Sequence, residues 1–133
     1  MRKSQAGIEY LIVIGFVTLA IISIIFIAYF YSGMARDRIV LNQVEVFANK
    51  IINSAESVFY AGEPSRAYVT AYLPAQVTSI EIIDKNIVIV TSTSSGNAKR
   101  AFSSKVQLQG SISTGEGAKR IKLQAEQDKV LIS

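Results

Sequence analysis

The sequence predicts an α+β protein: a long N-terminal helix, apolar enough to cross a membrane and then amphipathic, followed by a small antiparallel β-sheet or sandwich head. Three observations carry this. Residues 10–31 are interrupted only by Gly15, Thr18 and Ser23 and contain no charge, a run of 22 residues where about 20 suffice to cross a hydrocarbon core. Val40, Val44, Phe47, Ile51, Ala55 and Val58 recur at steps of three and four, the stripe of an amphipathic helix. Beyond Gly62 the chain turns into short alternating segments rich in β-branched residues and separated by turn signals, as strands are.

The first helix is expected over residues 8–31, with a bend or melted point at Gly33, because a glycine loses more backbone freedom in a helix than any other residue. The amphipathic part follows over 34–60. Arg38, Gln43, Glu45, Lys50, Asn53 and Glu56 mostly take its other faces. Gly62 and Pro64 suit a helix end near Tyr60. If continuous, the helix is roughly 80 Å long at 1.5 Å per residue.

Residues 62–133 form the head. In "RAYVTAYL" Val69, Ala71 and Leu73 share one face, and Tyr68, Thr70 and Tyr72 the other. "VTSIEII" and "IVIVTST" are strands around a turn at Asp84, Lys85 and Asn86, with "SSGN" the next break. "AFSSKVQLQ", "KRIKLQAE" and "KVLIS" read as further strands, and "GSISTGEG" as a flexible hairpin loop. About 70 residues make a modest core without disulfides, so the sheet is expected to lie on the helix stripe.

Composition excludes several function classes. With no Cys and no His the chain has no disulfide, no Cys- or His-based zinc site and no Ser–His–Asp or Cys–His catalytic group. No metal site, cofactor or catalytic residue is assigned, and an enzyme is not expected. The net charge is +4, and Lys99, Arg100, Lys105, Lys119, Arg120 and Lys122 stand among polar neighbours, so nucleic acid is not an expected partner and a solvated β surface is the plain reading. "GSISTGEGAKR" lacks the Gly-Lys-Ser/Thr of a phosphate loop. Phe26, Tyr29, Phe30 and Tyr31 fit an aromatic belt or packing between subunits better than an electron-carrying stack.

The beginning of the chain poses the functional question. Arg2 and Lys3 precede the apolar run, and Glu9 stands at its front edge, where an unpaired carboxylate is costly in lipid. A cleaved secretory signal has a shorter apolar region ending at small residues, which "YFYSGMARDR" does not supply. An uncleaved anchor, with its basic flank in the cytoplasm, fits better.

The stretch "RKSQAGIEYLIVIGFVTLAII" resembles the class III signal peptide of archaeal type IV pilin-like proteins. In that family a short basic leader is followed by Gln, a small residue two positions on, Glu two beyond that, and an apolar helix. Gly7 and Val13 stand where the family often has serine and leucine, and Ser4 where glycine is common. The resemblance covers roughly the first 30 residues. It implies cleavage between Ser4 and Gln5 by a prepilin peptidase, which removes a leader of residues 1–4. The new α-amine of Gln5 then lies one turn from Glu9, since positions four apart share a helix face. In the family this glutamate is held to neutralise such an amine, its own or a neighbour's, as helices pack.

The function that the resemblance implies is that of a structural subunit of a surface filament. Such a subunit is made as a single-pass membrane precursor with a cytoplasmic N-terminus and assembled with copies of itself or other pilins by membrane-bound machinery. Leu11, Ile14, Phe16, Ile22 and Phe26 represent its helix-packing surface. Adhesion, motility, DNA uptake and secretion stay open as uses for such a filament. The alternative is a monomeric surface domain on a single-pass anchor, binding a ligand through its head.

Overall fold

The computed structural model describes residues 2–133. Its elements are α1 (Arg2–Ala61), β1 (Arg66–Leu73), β2 (Val77–Ile83), β3 (Asn86–Thr93), β4 (Gly96–Ser103), β5 (Gln107–Gly110), β6 (Gly117–Ala125) and β7 (Lys129–Ile132). One long N-terminal helix followed only by strands is the α+β layout expected. By internal contacts the chain divides into two units, one ending at Arg36 and the other comprising Asp37–Ser133.

In the first unit the helix runs without interruption through Gly33, so the melted point expected there is absent. A lone glycine costs only about 1 kcal/mol relative to alanine. Helix propagation, once nucleated, is too cooperative for that cost to break it.

In the second unit all six residues of the predicted stripe are buried, together with Ala48 and Ile52. Phe47 and Ile51 are at most 1% exposed. Each such side chain contributes about 1.5–3 kcal/mol on leaving water, and that, more than helix propensity, holds this part of α1 in place. The helix ends at Ala61 because Gly62 takes the left-handed conformation, φ +92°, in which its N–H reaches the Phe59 carbonyl at 3.1 Å.

The strands form a four-stranded sheet, β1-β6-β7-β5, and a three-stranded sheet, β2-β3-β4. Val69, Ala71 and Leu73 of β1 are buried and Tyr68, Thr70 and Tyr72 exposed, as their alternation predicted. Ile121, Leu123 and Ala125 of β6, Val130 and Ile132 of β7, and Leu108 of β5 join the same core as the helix stripe and Ile87 and Ile89 of β3. The core therefore draws on the helix and on both sheets, which is how the short segment beyond the helix gains a sufficient interior.

Five expectations for the head need correction. The sheets are not purely antiparallel: β5 pairs parallel with β7, Leu108 opposite Val130. The segment between β5 and β6 is therefore not a hairpin, because β7 lies between those strands. It crosses over β7, and it is anchored, with Ile112 only 8% exposed and the Lys119 ammonium donating to the Ser113 hydroxyl at 2.7 Å. "AFSSKVQLQ" is not one strand. It belongs to β4 and β5, in different sheets, with the break at residues 104–106. Finally, the turn after β2 is two residues long, with Asp84 at φ +52°, and Gly96 and Asn97 belong to β4 and not to the break before it. Asp tolerates the left-handed region through its short polar side chain, and Gly96, at φ +123°, adopts its conformation without a Cβ penalty.

Candidate assembly segment

The first unit contains an 18-residue window of mean hydropathy 3.0, none of it buried. A helix of this length and composition can cross a membrane. In the single chain Leu11 is 67% exposed, Phe16 73%, Ile22 61% and Phe26 63%, while Ile14, the least exposed of the proposed packing residues, is 44%. Monomeric soluble proteins rarely leave so continuous an apolar surface in water. This segment is long and apolar enough to anchor the chain in a membrane.

One of its few hydroxyls is satisfied within the helix itself. The Ser23 hydroxyl donates to the Leu19 carbonyl at 2.8 Å, returning the proton to the helix's own backbone and leaving no free donor toward lipid. Phe26 and Phe30, four apart, meet edge to face with ring centres 5.0 Å apart.

Ser4, Gln5 and Glu9 all lie on α1 and are exposed. Gln5 and Glu9 stand one turn apart on the same face, the relation the sequence implied. The Ser4–Gln5 bond sits in the first turns of the helix, where backbone N–H groups lack intrahelical partners, so this end opens at low cost.

At about 100° per residue the five packing residues do not form one stripe. Leu11, Ile14, Ile22 and Phe26 share one side of the helix. Phe16 lies toward the side that carries Gln5 and Glu9, in line with Ala20 and Ile27. A helix placed in a bundle through Leu11, Ile14 and Ile22 therefore directs Glu9 away from that contact, toward a different neighbour.

In the second unit, contacts that the stripe pattern did not disclose fasten the helix to the sheets. The Asp37 carboxylate accepts from the Ser94 N–H at 3.2 Å and from its hydroxyl. Lys50 donates to the Thr70 carbonyl at 2.6 Å. Glu56 accepts from the Lys105 N–H at 2.9 Å, and Glu45 faces Arg100 at 3.6 Å. These residues flank the apolar stripe, and a charged residue beside a stripe is the only sequence signal they give.

A groove of about 600 Å³ lies beside α1 in this unit, lined by Ile39, Val46, Phe47, Lys50, Ala71 and Tyr72 among others. It holds no pair of carboxylates and no nucleophile–base arrangement. Among the described residues no three His, Cys, Asp or Glu side chains are grouped as metal ligands.

Comparison with known proteins finds no matching family, no curated relative and no solved structure of similar fold.

Proposed function

We propose that this chain is a structural subunit of a type IV pilus-like surface filament of the archaeal kind, made as a membrane-anchored precursor. The observation that carries the reading is a membrane-length apolar helix left entirely uncovered, with Glu9 one turn from Gln5 at its front edge. An anchor needs the length but not the carboxylate. A subunit that leaves lipid for a protein core has a use for both, because a glutamate buried there is tolerable only beside a positive partner.

Cleavage between Ser4 and Gln5 supplies that partner as a new α-amine, largely protonated at neutral pH. It also removes Arg2 and Lys3, which hold the precursor at the cytoplasmic face. Assembly then proceeds through Leu11, Ile14, Phe16, Ile22 and Phe26 against neighbouring helices. The head, whose core closes within Asp37–Ser133, needs no copy of itself to fold. The partners on this reading are other pilin subunits, the prepilin peptidase, the assembly machinery and, before assembly, the membrane.

The test is terminal sequencing of protein from its native membrane, followed by electron microscopy of the surface. A mature chain beginning at Gln5, found in filaments, supports the reading. A chain that keeps Arg2 and never polymerises is the monomeric anchored domain instead, and one beginning near Arg36 reflects an ordinary secretory signal.

A further inference from the structure

The four-stranded sheet has an inner face in the core and an outer face in solvent, and the outer face is chemically one-sided. Its outward strand positions are Arg66, Tyr68, Thr70 and Tyr72 on β1, Ala118, Arg120, Lys122 and Gln124 on β6, Lys129 and Leu131 on β7, and Gln107 and Gln109 on β5. No carboxylate occupies any of them. Glu116 and Glu126 lie just beyond the strand ends, where they meet Tyr72 and Lys129 respectively. Arg66, Arg120 and Lys122 form no ion pair among the described residues.

Register brings these groups together. Lys122 exchanges both backbone hydrogen bonds with Ser133, at 2.9 and 3.0 Å, so it does not exchange them with its β1 partner Tyr68. Tyr68–Lys122 and Thr70–Arg120 are thus non-hydrogen-bonded pairs, in which side chains stand closest. The Arg120 guanidinium lies 4.5 Å from the Tyr68 ring centre, fixed by cation–π attraction and still exposed. Tyr68 and Tyr72 are 58% and 50% exposed, four residues apart on one strand.

From this face we infer a binding site for an acidic polysaccharide, a polymer of uronic-acid type. Arg120 and Arg66 present the planar fork that pairs with a carboxylate. Tyr68 and Tyr72 offer flat apolar surfaces for the C–H faces of sugar rings, with a hydroxyl at the rim. Thr70, Gln107, Gln109 and Gln124 supply the donors and acceptors that a hydroxyl-rich chain requires.

Charge density separates this partner from nucleic acid. A nucleic-acid site draws its affinity from neutralising many closely spaced phosphates, commonly about six to ten of them. Three unpaired cations spread among amides and tyrosines match a chain with sparser charge and more hydroxyls. The site belongs to the head alone, so the inference holds for a filament subunit and for an anchored monomer alike.

The test uses full-length protein in nonionic detergent and a short, fluorescently labelled oligogalacturonate, with binding followed by polarisation. Saturable binding is expected, weakened at least about tenfold when the probe's carboxylates are reduced to alcohols, as loss of charge-assisted hydrogen bonds requires. Arg120→Gln and Lys122→Gln should each weaken binding about tenfold. Tyr68→Ala should weaken it comparably and Tyr68→Phe should not, because the ring supplies the surface. Lys99→Ala, on β4, should leave binding unchanged, and circular dichroism melts of each variant establish that the head is folded. Four outcomes overturn the inference: no saturable binding, equal binding of the reduced probe, indifference to Arg120 and Tyr68 in folded variants, or tighter binding of oligothymidylate than of oligogalacturonate.

Discussion

Glu56, in the last turns of the helix, accepts the backbone N–H of Lys105 at 2.9 Å, 49 residues further along the chain. The same carboxylate oxygen lies 3.5 Å from the Ser104 hydroxyl. Residues 104–106 are where the chain leaves one sheet for the other, and a helix carboxylate satisfies a backbone donor that neither ladder takes up. A single strand through this point would have left Glu56 without that role.

Replacing Glu56 with Ala should therefore cost more than an ordinary surface substitution. The N–H of Lys105 loses a charged acceptor and the half-buried site next to Ser104 is left underused, a loss of about 1–2 kcal/mol after allowance for partial exposure. Glu56→Gln keeps an oxygen at the same place and should lose less than half as much. Urea unfolding of the detergent-solubilised chain, followed by the β-sheet signal, checks both, and equal stability of all three proteins would show the contact to be incidental.

Phe47 anchors the helix stripe in the core, 1% exposed, while its neighbour Val46 is 66% exposed. Phe47→Ala should destabilise the head by about 3–5 kcal/mol, enough to unfold a marginal domain. Val46→Ala should stay within about 0.5 kcal/mol of the parent. The pair is a clean test of which helix face meets the sheet, readable in thermal melts, and similar midpoints for the two variants would refute the packing described.

Gly110 closes the parallel pairing of β5 with β7. Its φ is +135°, and a Cβ there would stand 1.9 Å from the Ile132 carbonyl oxygen, a backbone atom that cannot swing aside. Gly110→Ala thus combines conformational strain with overlap and should cost at least about 2 kcal/mol. Gly96→Ala, at φ +123° but with open space around it, carries strain only and should cost less. Hydrogen exchange at the Ser111 amide, which donates to the Ile132 carbonyl at 3.3 Å, should accelerate in the Gly110 variant and not in the Gly96 variant.

The parts legible in the sequence are those set by local periodicity. The apolar run, the stripe through Phe47 and Ile51, and the alternation of Val69, Ala71 and Leu73 each follow from side-chain spacing within one element, and the structure has all three. What escaped depends on residues far apart in the chain. The parallel pairing of Leu108 with Val130 leaves no local mark, because β5 and β7 are separated by a crossover and a whole strand. Lys50 and Glu56 looked like solvated flank residues because their partners, Thr70 and Lys105, are set by the tertiary fold. Gly33 misled in the other direction: its local signal was real, but cooperativity along the helix outweighed it. At the assembly segment, the one-turn relation of Gln5 to Glu9 is visible from spacing alone. The division of Phe16 from Leu11, Ile14 and Ile22 appears only once the helix is built.

Glu9→Gln tests the role proposed for that end of the helix. The substitution keeps size and polarity and removes the charge, so entry into lipid should become easier, since a charged side chain is the costlier one at membrane depth. The head should fold as before, because its core lies wholly within Asp37–Ser133, and its melting temperature should be unchanged. Trimming before Gln5 must be checked by terminal sequencing, because a peptidase that reads the carboxylate would slow for reasons unrelated to assembly. The expected product is protein that is inserted, trimmed and folded, yet polymerises poorly, because the α-amine at Gln5 then enters the core without a countercharge, and breaking one partner of a buried pair is the strongly unfavourable case. In a polymer the penalty recurs with every subunit added, so a modest loss per contact becomes a large loss of filament. Phe16→Ala, on the same side of the helix, should weaken assembly through lost packing while leaving the pairing intact. Filaments at normal yield from trimmed Glu9→Gln subunits would reduce Glu9 to a residue of the membrane interface and favour the anchored monomer.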